Sequence, residues 1–289
     1  MTIFEMAHRR TEPSATQAAR RRVLVALSGP AAPQAAIEAG RMIATALAAP
    51  LHGMLAWPTP IMPCQVPRLL RLEPSVLEGM VLDVDSGDPA ECIGAAMRSQ
   101  PVAFVVLIAE RDGEDECGLG EFAARIIAGA HASAIILRPG TWLGAIQRIL
   151  VPIDGTPSTA AALAPAGELA LRMGAALDVV MIEDATAPLS IEPGAMAPSQ
   201  YIDQPQHEWP AFSAEVMQRL LSAIAHWSPA VPTRLMLANG HPAAEILRYI
   251  TELDPDLIAL VRRGPTQGHG AVFREVVRHT NRPILVLRR

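Results

Sequence analysis

Aromatic side chains are scarce: they make up 4% of a 289-residue chain in which half the residues are apolar. The apolar material is therefore mostly Ala, Leu, Ile and Val, small aliphatic residues that suit helices packed closely on a parallel sheet. Cysteine is scarce too. Cys64, Cys92 and Cys117 are odd in number, far apart and in no metal-ligand spacing, which reads as a reducing, cytoplasmic setting. No apolar run approaches the roughly 18 residues of a membrane span. Residues 1–22 lack the apolar core of a signal peptide, and residues 1–20, with Arg9, Arg10 and Arg20, read as a disordered basic tail. Positive charge is in deficit overall: a formal charge of −5 and a pI near 5.9 argue against a nucleic-acid binder, which needs a basic surface.

Catalytic and metal constellations are also missing. No Ser–His–Asp or Cys–His set stands in a recognisable context, so no catalytic residue is assigned. His269 and His279 are ten positions apart, poor spacing for a metal, and His241 lies farther off. Cys64 sits in a proline-rich loop with nothing nearby to lower its pKa.

What the chain does have is a repeat. Ile149-Leu-Val-Pro-Ile-Asp154-Gly-Thr156 is an apolar run that stops at a carboxylate and a turn. This is how a buried parallel strand reads, and ligands of open α/β sheets bind at such strand ends. An earlier copy runs Val23-Leu-Val-Ala-Leu-Ser28-Gly-Pro. A shift of 126 positions carries Ser28 to Asp154, Gly29 to Gly155 and Leu51 to Leu177. The same shift carries Ala36, Gly40, Ile43 and Leu47, one stripe of a helix over 32–48, to Ala162, Ala166, Leu169 and Met173. Pro165 falls inside the second of these helices and should kink it or delay its start.

Farther on the shift becomes 153: Gly87-Asp-Pro-Ala90 matches Gly240-His-Pro-Ala243, and Phe104–Ile108 matches Leu257–Val261. The second half therefore carries 27 more residues, 153 less 126, within 184–227. Within that stretch, 184–210 reads as a long surface loop, and Val216, Leu220, Ile224 and Trp227 lie on one stripe of a helix over 212–227. The first half has at best a short helix near 66–72 or 74–79. A final shift of 150 matches Gly118-Leu-Gly120 to Gly268-His-Gly270 and Ile135–Arg138 to Leu285–Arg288. Each half reads as strands alternating with helices, which gives a parallel sheet covered on both faces. The expected organisation is a tail at 1–20, a first domain at 21–139, a linker at 140–146 and a second domain at 147–289.

These residues resemble the universal stress protein family, as a tandem two-domain member. The resemblance is carried by Ile149 to Thr156, Gly240-x-Pro242-Ala, Asp256-Leu-Ile-Ala-Leu and Val276-Val-Arg-His-Thr-Asn-Arg-Pro283-Ile-Leu-Val-Leu. It covers nearly all of the second half outside 184–210, and reaches the first half through the repeat. It implies two flavodoxin-like domains of the adenine-nucleotide-alpha-hydrolase type, each an open five-stranded parallel sheet. It also implies an intrachain pseudo-dimer or a homodimer through the last strand, and a non-enzymatic role in a stress response. Some members bind ATP through an Asp at the end of strand one and a glycine loop, G-x2-G-x9-G-(S/T), after strand four.

In the second half, the candidate positions for ATP or another adenine nucleotide are Asp154, Gly155, Thr156, Arg263, Gly264, Gly268, His269, Gly270 and Ala271. The loop departs from the family pattern. It is several residues short, and Ala271 replaces the Ser or Thr. Gly268-His-Gly270 still lets the backbone approach a ligand, and a helix start there favours an anion. The other reading is that Asp154 caps the next turn or helix and the glycines serve only the turn. The first half is a poorer candidate. Ser28 supplies no carboxylate, Glu121 stands at the helix start a phosphate would use, and Glu110, Asp112, Glu114, Asp115 and Glu116 precede it. Ser28-Gly-Pro30 faintly resembles the loop of ATP pyrophosphatases but lacks its Gly-Gly and following Asp-Ser, so it reads as a turn.

Overall fold

Val23, Leu24 and Val25 are all fully buried, which requires helices on both faces of their strand. Alternation divides them: Val23 and Val25 join the core on one face, Leu24 and Ala26 the core on the other. The computed structural model describes residues 21–28, 33–110, 119–129, 132–184, 192–193, 195, 216–218, 220–221, 228, 230–262 and 269–288.

The first half contains β1 (Arg22–Ala26), α1 (Gln34–Leu47), β2 (Leu51–Trp57), α2 (Val66–Leu70), β3 (Val81–Ser86), α3 (Pro89–Ser99), β4 (Val102–Ile108), α4 (Gly120–Gly129) and β5 (Ser133–Leu137). The second contains β6 (Arg148–Ile153), α5 (Pro157–Ala160), α6 (Leu163–Met173), β7 (Ala176–Glu183) and β8 (Thr233–Asn239). It continues with α7 (Pro242–Leu253), β9 (Leu257–Arg262), α8 (His269–His279) and β10 (Ile284–Arg288). Among the described residues no helix is long and apolar enough to cross a membrane.

The strands form one sheet in the order β3-β2-β1-β4-β5-β10-β9-β6-β7-β8. Neighbours pair in parallel within each half, and β5 pairs with β10 antiparallel. The strand ends that point up in one half therefore point down in the other. Helices α1 and α6 share one face, and α3, α4, α7 and α8 the other, so both apolar layers continue across the junction.

The repeated helix differs between its copies for a local reason. α1 is a single helix of 14 residues. In the second half the same stretch splits into α5, capped by Thr156, and α6, which starts at Leu163. Pro165 is the third residue of α6, where a helix has no intrahelical use for the missing N–H. Both copies end in a left-handed residue 126 positions apart, Ala48 and Gly174. In the first half Val66–Leu70 is helical and Pro74–Leu77 is a 3₁₀ turn, so both short-helix readings are realised. In the insert, 216–218 and 220–221 are helical, with Val216 and Leu220 buried; Ile224 and Trp227 lie outside the described residues.

A polar cluster marks the strand starts of each half. Arg22, 3% exposed, donates to His52 Nδ1 at 3.0 Å, Asp83 Oδ2 at 3.3 Å and the Ala96 carbonyl at 2.7 Å. The shift of 126 turns Arg22 and His52 into Arg148 and Asp178. Buried Asp178 takes a hydrogen bond from Arg234 Nε at 2.5 Å and lies 3.4 Å from Arg148 Nε, a Coulombic contact without hydrogen-bond alignment.

Candidate functional site

In each half the first strand lies between the second and the fourth: β6 between β7 and β9, β1 between β2 and β4. The chain leaves that strand in one direction and later returns on its other side. This is the topological switch point, where a crevice opens outside the carboxyl ends of the strands. In the second half the crevice is flanked by Asp154, just past β6, and by the exit of β9 at Arg262.

Asp154 is half-buried and held by its own turn. Its Oδ1 accepts from the Thr156 N–H at 2.9 Å, from Thr156 Oγ1 at 2.6 Å and from Thr159 Oγ1. The Asp154 N–H donates back to Thr159 Oγ1 at 3.1 Å. Gly155 has φ +78°, a left-handed backbone that lets the chain turn straight off the strand. Thr156, 3% exposed, is the N-cap of α5, its hydroxyl accepting from the Thr159 N–H at 3.3 Å. The carboxylate thus closes the turn while the threonine caps the helix. Thr159 was not singled out from the sequence, although a hydroxyl five residues past a strand-end Asp is the available signal.

The insert also reaches this turn. Ser158, 3% exposed, donates its Oγ to Glu192 at 2.5 Å. Nothing in the sequence linked these two residues, because their contact depends on how the long loop runs. Across the crevice, β9 ends at the half-buried Arg262. Arg263, Gly264 and Gly268 lie outside the described residues, as does the side chain of His269. His269 and Gly270 form the start of α8, and Ala271 is exposed in its first turn. A Cβ at Gly270 would meet the Arg274 guanidinium, nearest at Nη1, 3.3 Å away. The structure thus brings Asp154, Gly155 and Thr156 together on one wall.

In the first half the groups at the equivalent strand ends are bonded to neighbouring strands. Ser28 is 8% exposed; its Oγ accepts from the Ala56 N–H at 2.7 Å and donates to the Ala56 carbonyl at 3.2 Å, tying β1 to β2. Across from it Arg138, 4% exposed, donates to the carbonyls of Ala109 and Glu110 at 3.3 and 3.2 Å, pinning the exit of β4. Arg125 of α4 grips the carboxylate of Asp88, the N-cap of α3, through two bonds of 2.8 and 2.9 Å. That guanidinium, helped by the Glu91 N–H, holds the Asp88 carboxyl below its ordinary range. Cys92 in α3 is buried, and its thiol pKa is pushed up, first by burial and then by Asp85 and Asp88. Cys64 is exposed. No group of three or more metal-ligating residues occurs among the described residues.

Residues 145–288 match the model of the universal stress protein family. Universal stress protein YxiE of Bacillus subtilis (strain 168) is 27% identical over 148 residues, 49% of this chain and 99% of that protein. A universal stress protein structure from Archaeoglobus fulgidus DSM 4304 superposes with a TM-score of 0.60 at 14% identity, covering 92% of this chain and 98% of that one. A functionally unknown protein from Pseudomonas aeruginosa PAO1 gives 0.64 at 15% identity, covering 93% of each chain. At these identities the two structures establish a shared fold over both halves.

Proposed function

The chain belongs to the universal stress protein family through residues 145–288, and on that premise we propose that its second half binds an adenine nucleotide and acts in a stress response by binding rather than by turnover. The observation that carries this reading is the placement of Asp154 at the switch point of its half-sheet, across from the exit of β9 and the start of α8. Asp154, Gly155 and Thr156 form the wall toward ribose and base. His269, Gly270 and Ala271 at the start of α8 are the phosphate side of this reading, to which Arg263, Gly264 and Gly268 are assigned from the sequence alone. The start of α8 presents first-turn N–H groups and the positive end of a helix dipole, the dipole term being worth about 0.3–1 kcal/mol toward an exposed anion. The short loop and Ala271 favour an anion smaller than a fully cradled triphosphate.

In the same reading the first half, 21–139, is the closed partner of an intrachain pseudo-dimer, joined by 140–146 to the nucleotide-binding half at 147–289. The setting is cytoplasmic. Titration of the intact chain with ATP, ADP and AMP, followed by thermal unfolding, tests the binding. A ligand of the native state stabilises it by RT ln(1 + [L]/Kd), so the midpoint should rise with nucleotide and rise less in Asp154→Ala. No rise at millimolar nucleotide sinks the reading.

A second reading is favoured by the engagement of Asp154 Oδ1 with Thr156 and Thr159: a purely structural interaction module in which the carboxylate serves its turn alone. Unchanged midpoints with all three nucleotides would select it. Phosphate release from ATP over hours, compared with Asp154→Ala, tests the remaining option of slow hydrolysis.

A further inference from the structure

The insert that only the second half carries leaves the sheet beside Asp154. β7 runs parallel to β6, so its end at Glu183 and the end of β6 at Ile153 lie on the same side of the sheet. One residue of the insert returns to the switch point. Glu192 accepts from the Ser158 hydroxyl at 2.5 Å, within the range of an O–H group donating to a carboxylate. The Glu192 carbonyl accepts from the Ala195 N–H at 3.0 Å, so a turn sets that carboxylate in place. Ser158 is buried and stands in the first turn of α5, two residues past Thr156. α5 lies against both β6 and β9, the two strands that border the crevice. The contact therefore puts a second carboxylate beside the wall that holds Asp154. The first half has neither part: the shift of 126 turns Ser158 into Ala32, and the insert is absent.

We propose that Glu192 determines the charge class of the ligand, turning the second-half site toward nucleotides of low charge and away from polyphosphates. This rests on the nucleotide reading above and deepens it. Asp154 supplies one negative charge to the wall, with Oδ1 engaged by Thr156 and Thr159. Glu192 adds another, and its bond to a buried hydroxyl holds that charge at the wall instead of letting it swing into solvent. Across the crevice, Arg262 and the start of α8 attract a phosphate. The attraction of a helix start falls off within its first turn. The repulsion by a fixed carboxylate rises with every further charge on the ligand. One phosphate is thus admitted, and each additional one costs more because Glu192 is there.

Calorimetric titration of the full chain with AMP, ADP and ATP tests the proposal in wild type, Glu192→Gln and Ser158→Ala. Glu192→Gln removes the charge and keeps an acceptor for Ser158, so its unfolding midpoint should match that of the wild type. Its affinity gain should be about threefold or more for ATP, smaller for ADP and smallest for AMP. The gain should shrink when salt rises from about 0.05 to about 0.5 M, as screening predicts. Ser158→Ala frees the carboxylate from its anchor and should shift affinities in the same order by a smaller factor. A gain equal for all three nucleotides, or no gain while the wild type binds, overturns the proposal and leaves the nucleotide reading standing. An equal loss for all three overturns it as well, because Glu192 would then be bonding the ligand directly. If none of the three chains binds any nucleotide, the reading and this proposal fall together.

Discussion

Arg138 Nη2 donates to the carbonyl of Val277 at 2.6 Å, so a buried guanidinium at the end of β5 grips the last turn of α8 in the other half. The same side chain holds the carbonyls of Ala109 and Glu110. One residue therefore pins the exit of β4 and fastens the two halves together.

Arg138→Met keeps the aliphatic stem and leaves three carbonyls without this donor. The expected loss is roughly 1–3 kcal/mol, the desolvation penalty of buried acceptors left unpaired. Urea unfolding should show an earlier transition, and a second step if the halves uncouple. An unchanged single transition would contradict the role given to Arg138.

Gly40→Ala separates the repeat from its geometry. The duplicate carries Ala166 at the same position, so sequence comparison predicts that alanine is accepted. In α1, however, a Cβ on Gly40 would lie 2.5 Å from Val25 Cγ2 and 3.3 Å from Leu51 Cδ1. Overpacking of this kind costs about 1–3 kcal/mol, more than the helix-propensity gain of about 1 kcal/mol at its upper end. A denaturation midpoint at or above wild type would show that α1 shifts freely.

Asp88 makes stability pH-dependent in a definite direction. Its carboxyl sits below the ordinary carboxylate range because Arg125 and the Glu91 N–H favour the charged form. A depressed folded pKa contributes stability above the unfolded value and loses it as the pH falls through the folded one. Asp88→Asn should therefore narrow the gap between the urea midpoints at neutral pH and at about pH 3. Wild type and variant with identical pH profiles would remove Asp88 from the acid response.

Asp154 can be divided into its two duties. Asp154→Asn keeps an acceptor for Thr156 and Thr159, so stability should change by less than about 0.5 kcal/mol. Asp154→Ala opens the turn and should cost about 1–2 kcal/mol. If the carboxylate also meets a ligand, the Asn variant loses affinity without losing stability. Calorimetric titration beside unfolding curves distinguishes the two.

The parallel strands, the helices between them and the duplication were legible because they rest on periodicity and on residue types that recur at fixed shifts. Val23 to Ala26 and Ile149 to Ile153 are apolar throughout because both of their faces are covered. Pro165 gave notice of a divided helix because the missing N–H is a local property. The strand-end position of Asp154 was legible for the same reason. Its partner Thr159 was not, since the choice among neighbouring hydroxyls depends on the path of the turn. Glu192 beside Ser158, Arg138 on Val277 and Ser28 across to Ala56 join residues 34, 139 and 28 positions apart. By itself, then, the sequence determined two copies of one sheet unit and an acidic residue at the end of one central strand. Only the tertiary structure decided that β5 and β10 pair antiparallel in one continuous sheet, that Ser28 is tied to Ala56, and that Trp142 faces solvent. Those outcomes depend on where distant hydrogen-bonding groups and apolar surfaces come to rest when the chain packs, which no local pattern encodes.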